Sequence, residues 1–216
     1  MLLTYKEIAT FTAGSHISRI QESADGSAFR FYATEQFLVD DWQSAIVSAE
    51  KEQWVKTHQD VVLAQKGDVV ISLIHGKAVR VSTENAGRIL GNNYVKVDVD
   101  TSRIDAAWFL WHFNESPEGR RQRIQTTQGS TVVQRIAVNE LKNFTVTLPP
   151  LAQQKAMGGL YLAAREKRFY QQQIAALSEQ QILSLLGGMI LLITSLFRDE
   201  EKQQEQLCLP RLKRKI

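Results

Sequence analysis

Leu148-Pro149-Pro150-Leu151-Ala152-Gln153-Gln154 is the stretch that divides this chain into two parts of different character. Two consecutive prolines cannot continue a strand ladder, whereas a proline suits the first turn of a helix, where its missing N–H is not needed. For about 30 residues from Ala152, neither proline nor a cluster of β-branched residues interrupts a helical pattern, which predicts a helix about 45 Å long.

Upstream of the prolines, short strand patterns alternate with a helical one. The apolar run at residues 69–74, the tight turn His75-Gly76-Lys77 and the returning run at residues 78–82 predict a β-hairpin. The alternation over residues 95–99 predicts a half-buried strand, and residues 104–114 have the spacing of an amphipathic helix. The predicted fold class is therefore α+β: a mixed α/β domain of short strands, followed by a long C-terminal helix.

Composition favours a soluble globular protein, because 44% of the 216 residues are hydrophobic and 23% are charged. This length suits one domain plus an appendage. The single cysteine, Cys208, has no partner for an internal disulfide or a multi-cysteine zinc site. The first residues lack the pattern of a signal peptide, so we expect a cytoplasmic protein.

Residues 118–135 are polar and basic, rich in Arg, Gln, Thr and Ser around Gly129, and we predict a surface loop. Cations bind phosphates, arginine pairs well with guanine, and glutamine pairs well with adenine. Taken alone, however, such a stretch is more often simply solvated.

Several segments together resemble the specificity subunit of type I restriction-modification systems. In chain order they are residues 5–9, residues 65–72 with Gly76, residues 129–131, residues 136–141 and residues 148–154. The last segment is the most specific, because in the family a strand ends in two prolines, followed by an apolar residue, a small residue, usually glutamate, and glutamine. Gln153 stands where the glutamate is usual, and Gln154 keeps the glutamine. The resemblance covers residues 5–180 in order and spacing.

The resemblance implies a DNA target-recognition domain at residues 1–148 and a helical dimerisation and partner-binding arm at 149–206. The last residues, 207–216, are predicted from their composition to form a basic tail. It implies a noncatalytic subunit that brings an adenine methyltransferase to its DNA site. The implied partners are double-stranded DNA, the modification (methyltransferase) subunit and, where restriction accompanies modification, the restriction subunit. We expect no catalytic residue, no cofactor, no metal and no membrane contact in this chain.

The predicted DNA contacts come from the hairpin and from the basic stretch that follows it. All are cations, amides or hydroxyls able to reach phosphates or base edges. They are His75, Lys77, Arg80, Arg120, Arg121, Arg123, Gln125, Thr127, Gln128, Ser130 and Gln134. The competing interpretation of the hairpin residues is ordinary surface chemistry.

Typical members of the family carry two recognition domains and two long helices, whereas this chain has one of each and no internal repeat. A two-fold homodimer restores the pair if the arms form an intermolecular antiparallel coiled coil, and it would read a split palindromic site. The predicted dimer seam consists of Met157, Leu160, Tyr161, Ala164, Ile174 and Leu177. The alternative, an intramolecular core, is less favoured because no second long helix precedes them.

The apolar run at residues 182–197 is not explained by the resemblance. Its 16 residues fall short of the about 20 that span a bilayer, so we predict a buried helix at an interface. Gly187-Gly188 is predicted to break or kink this helix, so that its second half folds back on the arm.

Three other interpretations fit the sequence. The first is a noncatalytic assembly or inhibitory protein that has the same domain but no defined sequence readout. The second is a nuclease or methyltransferase fragment, which the sequence disfavours because it lacks a glycine-rich cofactor loop, a phosphate-binding loop and the Asn/Asp-Pro-Pro-aromatic motif of amino-methyltransferases. The third is a truncated relic that has lost its second half.

Overall fold

The computed structural model describes the backbone of residues 2–43, 52–127 and 135–212, with side chains as far as residue 190 except Thr127, and then at 193–195 and 198. Within these ranges the strands are β1 (Leu2–Thr4), β2 (Ala9–Ala13), β3 (Ser27–Tyr32), β4 (Trp54–Thr57), β5 (Val69–Ser72), β6 (Lys77–Arg80), β7 (Ile89–Leu90), β8 (Tyr94–Val99) and β9 (Thr145–Thr147). The helices are α1 (Thr34–Asp40), α2 (Ala106–Glu115), α3 (Pro117–Thr127), α4 (Val138–Lys142) and α5 (Leu151–Leu212). Mixed short strands followed by a long C-terminal helix confirm the predicted fold class; the coiled-coil pairing stays a prediction.

A four-stranded antiparallel sheet in the order β2-β8-β5-β6 lies at the centre of the fold. Both of its faces are covered, which explains why β5 is a continuous apolar run rather than an alternating one. On one face Val69 and Ile71 pack with the aromatic residues of α2. On the other face Val70 and Val79 pack with Tyr32 and other residues around β3 and α1.

Two smaller strand groups complete the domain. Strand β3 pairs antiparallel with β4 and parallel with β7. Strand β1 pairs antiparallel with β9, so that Leu2 lies opposite Thr147. The N-terminus is therefore joined to the strand that immediately precedes the two prolines.

The predicted hairpin is confirmed: β5 and β6 pair antiparallel, with Ser72 opposite Lys77. Gly76 closes the turn with a φ of +59°, a conformation that glycine adopts without steric cost.

The expected loop at residues 118–135 is wrong for its first part, because α3 runs from Pro117 to Thr127. The helix is capped by Ser116, whose Oγ accepts a hydrogen bond from the backbone N–H of Gly119 at 2.9 Å. Pro117 occupies the first helical position, and arginine and glutamine are good helix formers. This stretch has few apolar residues and therefore no amphipathic pattern. The pair Ser116-Pro117 is nevertheless a typical sequence for the start of a helix.

Helix α5 begins directly after Pro150, as predicted, and extends to Leu212. It continues through Gly187 and Gly188, so the predicted break is not observed; each glycine costs a helix only about 1 kcal/mol. The chain separates into two compact units, Met1–Glu166 and Lys167–Ile216. The domain boundaries predicted from the resemblance stay predictions.

One part of α5 has the length and the composition of a membrane-spanning helix. Among the described residues, the stretch Leu151–Ser195 is long and apolar enough to cross a bilayer. A single such helix is weak evidence for a membrane protein.

The first turns of α5 show why the Pro-Pro motif ends in glutamine. The buried Gln154 amide accepts a hydrogen bond from the Asp105 N–H at 2.9 Å and donates to the carbonyls of Arg103 at 3.1 Å and Pro149 at 2.8 Å. One turn later, Gly158 lies so close to α2 that an added Cβ would be 2.5 Å from the Trp108 backbone nitrogen. Gln154 and Gly158 therefore fix the start of α5 against the start of α2.

Candidate nucleic-acid interface

The hairpin turn and α3 form the two walls of a cleft of about 390 Å³. The turn contributes Ile74, His75 and Lys77, and α3 contributes Arg120 and Ile124. Two regions that the sequence analysis singled out separately are thus neighbours in space. The cleft is lined both by apolar side chains, such as Ile74 and Ile124, and by cationic ones, such as Lys77 and Arg120.

Arg123 joins these two walls. Its Nη1 donates to the Gly76 carbonyl at 2.6 Å and its Nη2 to the Asn114 carbonyl at 2.7 Å. The guanidinium also lies 5.2 Å from the centre of the Phe113 ring. These contacts within the chain occupy much of the guanidinium, so in this structure Arg123 positions the hairpin turn against α3.

Two side-chain amides that the sequence analysis missed hold the same region in place. Gln122 pairs with the backbone of Thr145 in β9: its Nε2 donates to the carbonyl at 2.9 Å, and its Oε1 accepts from the N–H at 2.6 Å. Asn114 pairs with the backbone of Ala78 in β6 in the same way, at 2.7 and 2.9 Å. Residue type alone gives no signal for such long-range amide pairings.

The buried carboxylate of Asp41, which the sequence analysis did not single out, holds Lys77 of the hairpin in place. The Asp41 side chain is 1% exposed and forms ion pairs of 2.9 Å with both Lys77 and Arg165. Gln43 Nε2 donates to the same carboxylate, and Arg165 also donates to the Asp41 carbonyl. Lys77, a predicted DNA contact, is therefore paired within the chain, although 38% of its side chain is exposed.

The other predicted contacts differ in how available they are. The side chains of Arg121 and Gln125 are exposed on α3 and make no hydrogen bond or ion pair with other described residues. Arg120 is 61% exposed and pairs with Glu115 at 3.6 Å. His75 is exposed, with its Nδ1 2.8 Å from Ser72 Oγ. Its ring stacks on that of Phe37, with 5.1 Å between the ring centroids.

Arg80 is exposed but does not line the cleft, because it ends β6 on the side away from the turn. Thr127 ends α3, and its side chain lies outside the described set. Gln128, Ser130 and Gln134 fall wholly outside the described residues.

A buried histidine, His112, contacts Glu118 in the first turn of α3. His112 Nε2 lies 3.3 Å from the Glu118 carboxylate, and its Nδ1 lies 3.0 Å from the Tyr5 hydroxyl. A carboxylate only accepts, so Nε2 carries the proton, and Nδ1 accepts from Tyr5. Burial lowers the pKa of His112, partly opposed by Glu118, and burial also raises the pKa of Tyr5, so both are neutral at physiological pH.

The predicted dimer seam on α5 falls on two different surfaces. Met157 and Tyr161 pack against the core of the first unit, and the Tyr161 hydroxyl accepts a hydrogen bond from Asn114 at 3.1 Å. Leu160 is 74% exposed, Ile174 64% and Leu177 63%, and Ala164 is exposed as well. Only these last four are available to a partner.

No group of three or more His, Cys, Asp or Glu side chains that could hold a metal ion occurs in the part of the chain that the structure describes. The surface described above offers cations, amides and apolar side chains.

The sequence matches no protein-family model and no curated protein. Solved structures, in contrast, share its fold. The crystal structure of the HsdS subunit from Thermoanaerobacter tengcongensis matches with a TM-score of 0.54 at 15% identity, over 77% of this chain and 42% of that one. A chain from a structure on the complex assembly and conformational transition of the type I R-M system matches with a TM-score of 0.55 at 14% identity, over 78% of this chain and 43% of that one.

A third match is the type I restriction-modification S subunit from M. genitalium, with a TM-score of 0.49, 11% identity and coverage of 77% of this chain and 39% of that one. The fold comparison rests on the first two matches, and this chain spans about two fifths of the length of each. The resemblance stated from the sequence is thereby confirmed at the level of the fold. The chain has the fold of part of a type I restriction-modification specificity subunit.

Proposed function

We propose that this chain is a specificity subunit of a type I restriction-modification system. It reads DNA and directs an adenine methyltransferase subunit, together with a restriction subunit where restriction accompanies modification. The observation that carries the proposal is the fold shared with HsdS over 77% of the chain. In this role the chain supplies sequence specificity and no chemistry, and it works as a soluble protein in the cytoplasm.

The cleft and the outer face of α3 are the DNA-reading surface in this proposal. Arg120, Arg121 and Gln125 are exposed there, and arginine and glutamine pair with guanine and adenine in the major groove. Ile124 and Ile74, 50% and 45% exposed, offer apolar contacts beside them. Arg123, Gln122 and the Asp41 ion pairs act indirectly, by holding the surface rigid. His75 contacts DNA from the wall of the cleft and Arg80 is a peripheral contact, whereas Lys77 is limited by its ion pair.

The functional unit is a homodimer that reads a split palindromic site. The exposed part of α5 carries large apolar side chains, among them Leu160, Ile174 and Leu177, which a second copy would cover. A two-fold pair places two identical recognition domains in one complex, and each reads one half-site.

The test is selection of bound duplexes from a random double-stranded DNA library by the purified chain with its modification subunit. We expect enrichment of a palindromic motif with an unread spacer. Arg120→Ala with Arg121→Ala and Gln125→Ala should relax the motif, because each good bidentate contact is worth about 1–3 kcal/mol of discrimination.

The matched control is Lys66→Ala, which removes an exposed cation before the start of β5, away from the turn, and should leave the motif unchanged. Enrichment of no motif, or strong binding without base preference, would contradict the proposal and favour an assembly or inhibitory role. An unchanged motif in the triple variant would place the reading surface elsewhere.

A further inference from the structure

Helix α3 is divided into an exposed face and an inward face. Five of its residues are exposed, and at 3.6 residues per turn they fall within a sector of about 140°. The inward sector contains Gly119, Gln122 and Arg123, which contact the backbone of α2, β9 and the hairpin turn. The inward face is therefore held largely by polar contacts. The exposed face consists of Pro117, Arg120, Arg121, Ile124 and Gln125.

Ile124 lies near the centre of the exposed face. It is the one large aliphatic residue in the sequence of α3, and 50% of it is exposed. Around the helix axis, Arg120 lies on one side of it, and Arg121 and Gln125 lie on the other. Isoleucine is a weaker helix former than the arginines and the glutamine around it. Neither the packing of α3 nor its helix propensity therefore explains an isoleucine at this position.

Two cavities meet at Ile124. One is the cleft between the hairpin turn and α3, and the other, also about 390 Å³, lies along the exposed face of α3. Ile124 and Arg120 line both cavities. On the hairpin wall of the cleft, Ile74 is 45% exposed. A single exposed isoleucine is ordinary on a protein surface. Two half-exposed isoleucines that line one cleft form an apolar spot among cationic side chains.

The charge and the size of the exposed face suit the major groove of DNA. Among the described residues that line the outer cavity, Arg120 and Arg121 outweigh the single carboxylate, Glu115, so the face attracts phosphates. From Pro117 to Gln125 the helix rises about 12 Å, which is about the width of the major groove, and that groove admits an α-helix.

An aliphatic side chain has one natural counterpart in that groove. All four bases present hydrogen-bonding groups there, and thymine alone adds an apolar one, its 5-methyl group. Isoleucine has no side-chain donor or acceptor, so its gain from a base edge is the removal of apolar surface from water. The thymine methyl is the group that supplies this gain.

We propose that Ile124 is a specificity-determining residue that packs against the 5-methyl group of a thymine in the DNA target. The proposal rests on the proposed function and deepens it, because it assigns one chemical feature of the target to one side chain. Arg120, Arg121 and Gln125 supply hydrogen bonds and charge around the contact, whereas Ile124 supplies the apolar part of the readout.

The experiment replaces thymine by deoxyuridine, which pairs with adenine in the same way and lacks only the methyl group. The duplex is the motif selected by the full chain with its modification subunit, and each read thymine position is replaced in turn. Fluorescence anisotropy gives the affinity of the unmodified complex and of complexes with Ile124→Ala, Ile74→Ala or Ile17→Ala. Ile17→Ala is the matched control, because it removes an isoleucine of 44% exposure that lines neither cavity.

For the unmodified complex we expect one thymine position at which deoxyuridine weakens binding about fourfold for each methyl removed, which corresponds to about 0.8 kcal/mol per buried carbon. Ile124→Ala should bind the thymine and deoxyuridine duplexes equally, and Ile17→Ala should keep the fourfold ratio. A purely structural role of Ile124 would weaken binding to both duplexes and leave their ratio unchanged. Alanine is the better helix former, so α3 is retained, and the near-ultraviolet circular dichroism of the tryptophans, all within residues 1–166, should not change.

A selected motif in which no thymine responds to loss of its methyl group would overturn the inference and leave the proposed function intact. So would a ratio that Ile124→Ala preserves, including one that Ile74→Ala abolishes instead, which would assign the methyl contact to the hairpin. Loss of the modification subunit from the Ile124→Ala complex with an unchanged ratio would make this face a protein contact and also overturn the inference. Selection of no motif at all by the unmodified complex would refute the proposed function itself.

Discussion

Replacement of Gln154 by alanine removes the contact that fixes the start of the long helix. The Gln154 side chain is 1% exposed and makes three hydrogen bonds to the backbone, one accepted from Asp105 and two donated to Arg103 and Pro149. Alanine leaves all three backbone groups without this partner. Each buried group that loses its partner costs about 1–3 kcal/mol, and because Arg103 is solvent-exposed we take the lower end, about 3 kcal/mol in total.

For a folded unit of this size, about 3 kcal/mol lowers the melting temperature by about 6–12 °C. Urea unfolding followed by tryptophan fluorescence measures the change, because Trp108 lies in the first turn of α2, which is capped by Asp105, the residue whose N–H bonds to Gln154. Gln154→Glu keeps the acceptor for Asp105 but loses both donations, so it should destabilise at least as much as alanine. If Gln154 acts through its hydrogen bonds, glutamate must destabilise at least as much as alanine. If Gln154 acts only by filling space, glutamate, which has nearly the same size, should destabilise less than alanine.

The neighbouring residue gives the control. Gln153 is exposed, and Gln153→Ala should change the free energy of unfolding by less than about 0.5 kcal/mol. If Gln154→Ala costs less than about 1 kcal/mol, or no more than Gln153→Ala, the physical explanation of the motif given above is refuted.

Three further predictions concern the same unit. Gly158→Ala should destabilise the fold, because the added Cβ would lie 2.5 Å from the backbone of α2. Gly159→Ala, with open space around the added Cβ, should be neutral or stabilising by up to about 1 kcal/mol. Thermal unfolding compares the melting temperatures of the two variants, and equal temperatures would contradict the prediction. The lowered pKa of His112 means that below pH 6.5 the unfolded chain binds more protons, so stability should fall as pH drops from about 7 to about 5, and a His112→Gln variant without a smaller drop would contradict this. Asp41→Asn leaves Lys77 and Arg165 without their carboxylate and should lower the free energy of unfolding, measured by urea denaturation, by about 2 kcal/mol. This is below the about 3–5 kcal/mol of a fully buried pair, because both cations are partly exposed. A loss under about 0.5 kcal/mol would show that the ion pairs do not hold the hairpin in place.

Local signals predicted the parts of the fold that are local in the chain. The hairpin around Gly76, the helix after residue 104 and the start of α5 after Pro150 each depend on neighbouring residues, and the structure has all three. Helix α3 has almost no apolar residues, so its sequence shows no amphipathic pattern that would predict a helix. The cap at Ser116-Pro117 was the available signal.

The contacts that build the candidate site join residues distant in sequence, which a single sequence does not pair. Asp41 meets Lys77 across 36 residues and Arg165 across 124. Gln122 meets Thr145, and Asn114 meets Ala78, through amides whose residue types are common on any surface. The residue types of the reading surface were predicted from the sequence, but the structure was needed to separate exposed arginines from Arg123, whose guanidinium is bound within the chain.

The central claim, that this chain gives a modification enzyme its sequence specificity, is tested most directly by mapping methylated adenine across a genome. Cells expressing the cognate modification subunit are compared with and without the chain. The account predicts a new methylated motif that depends on the chain, is palindromic and is split by an unread spacer. The absence of any new motif, despite a soluble complex of the two proteins, would contradict it.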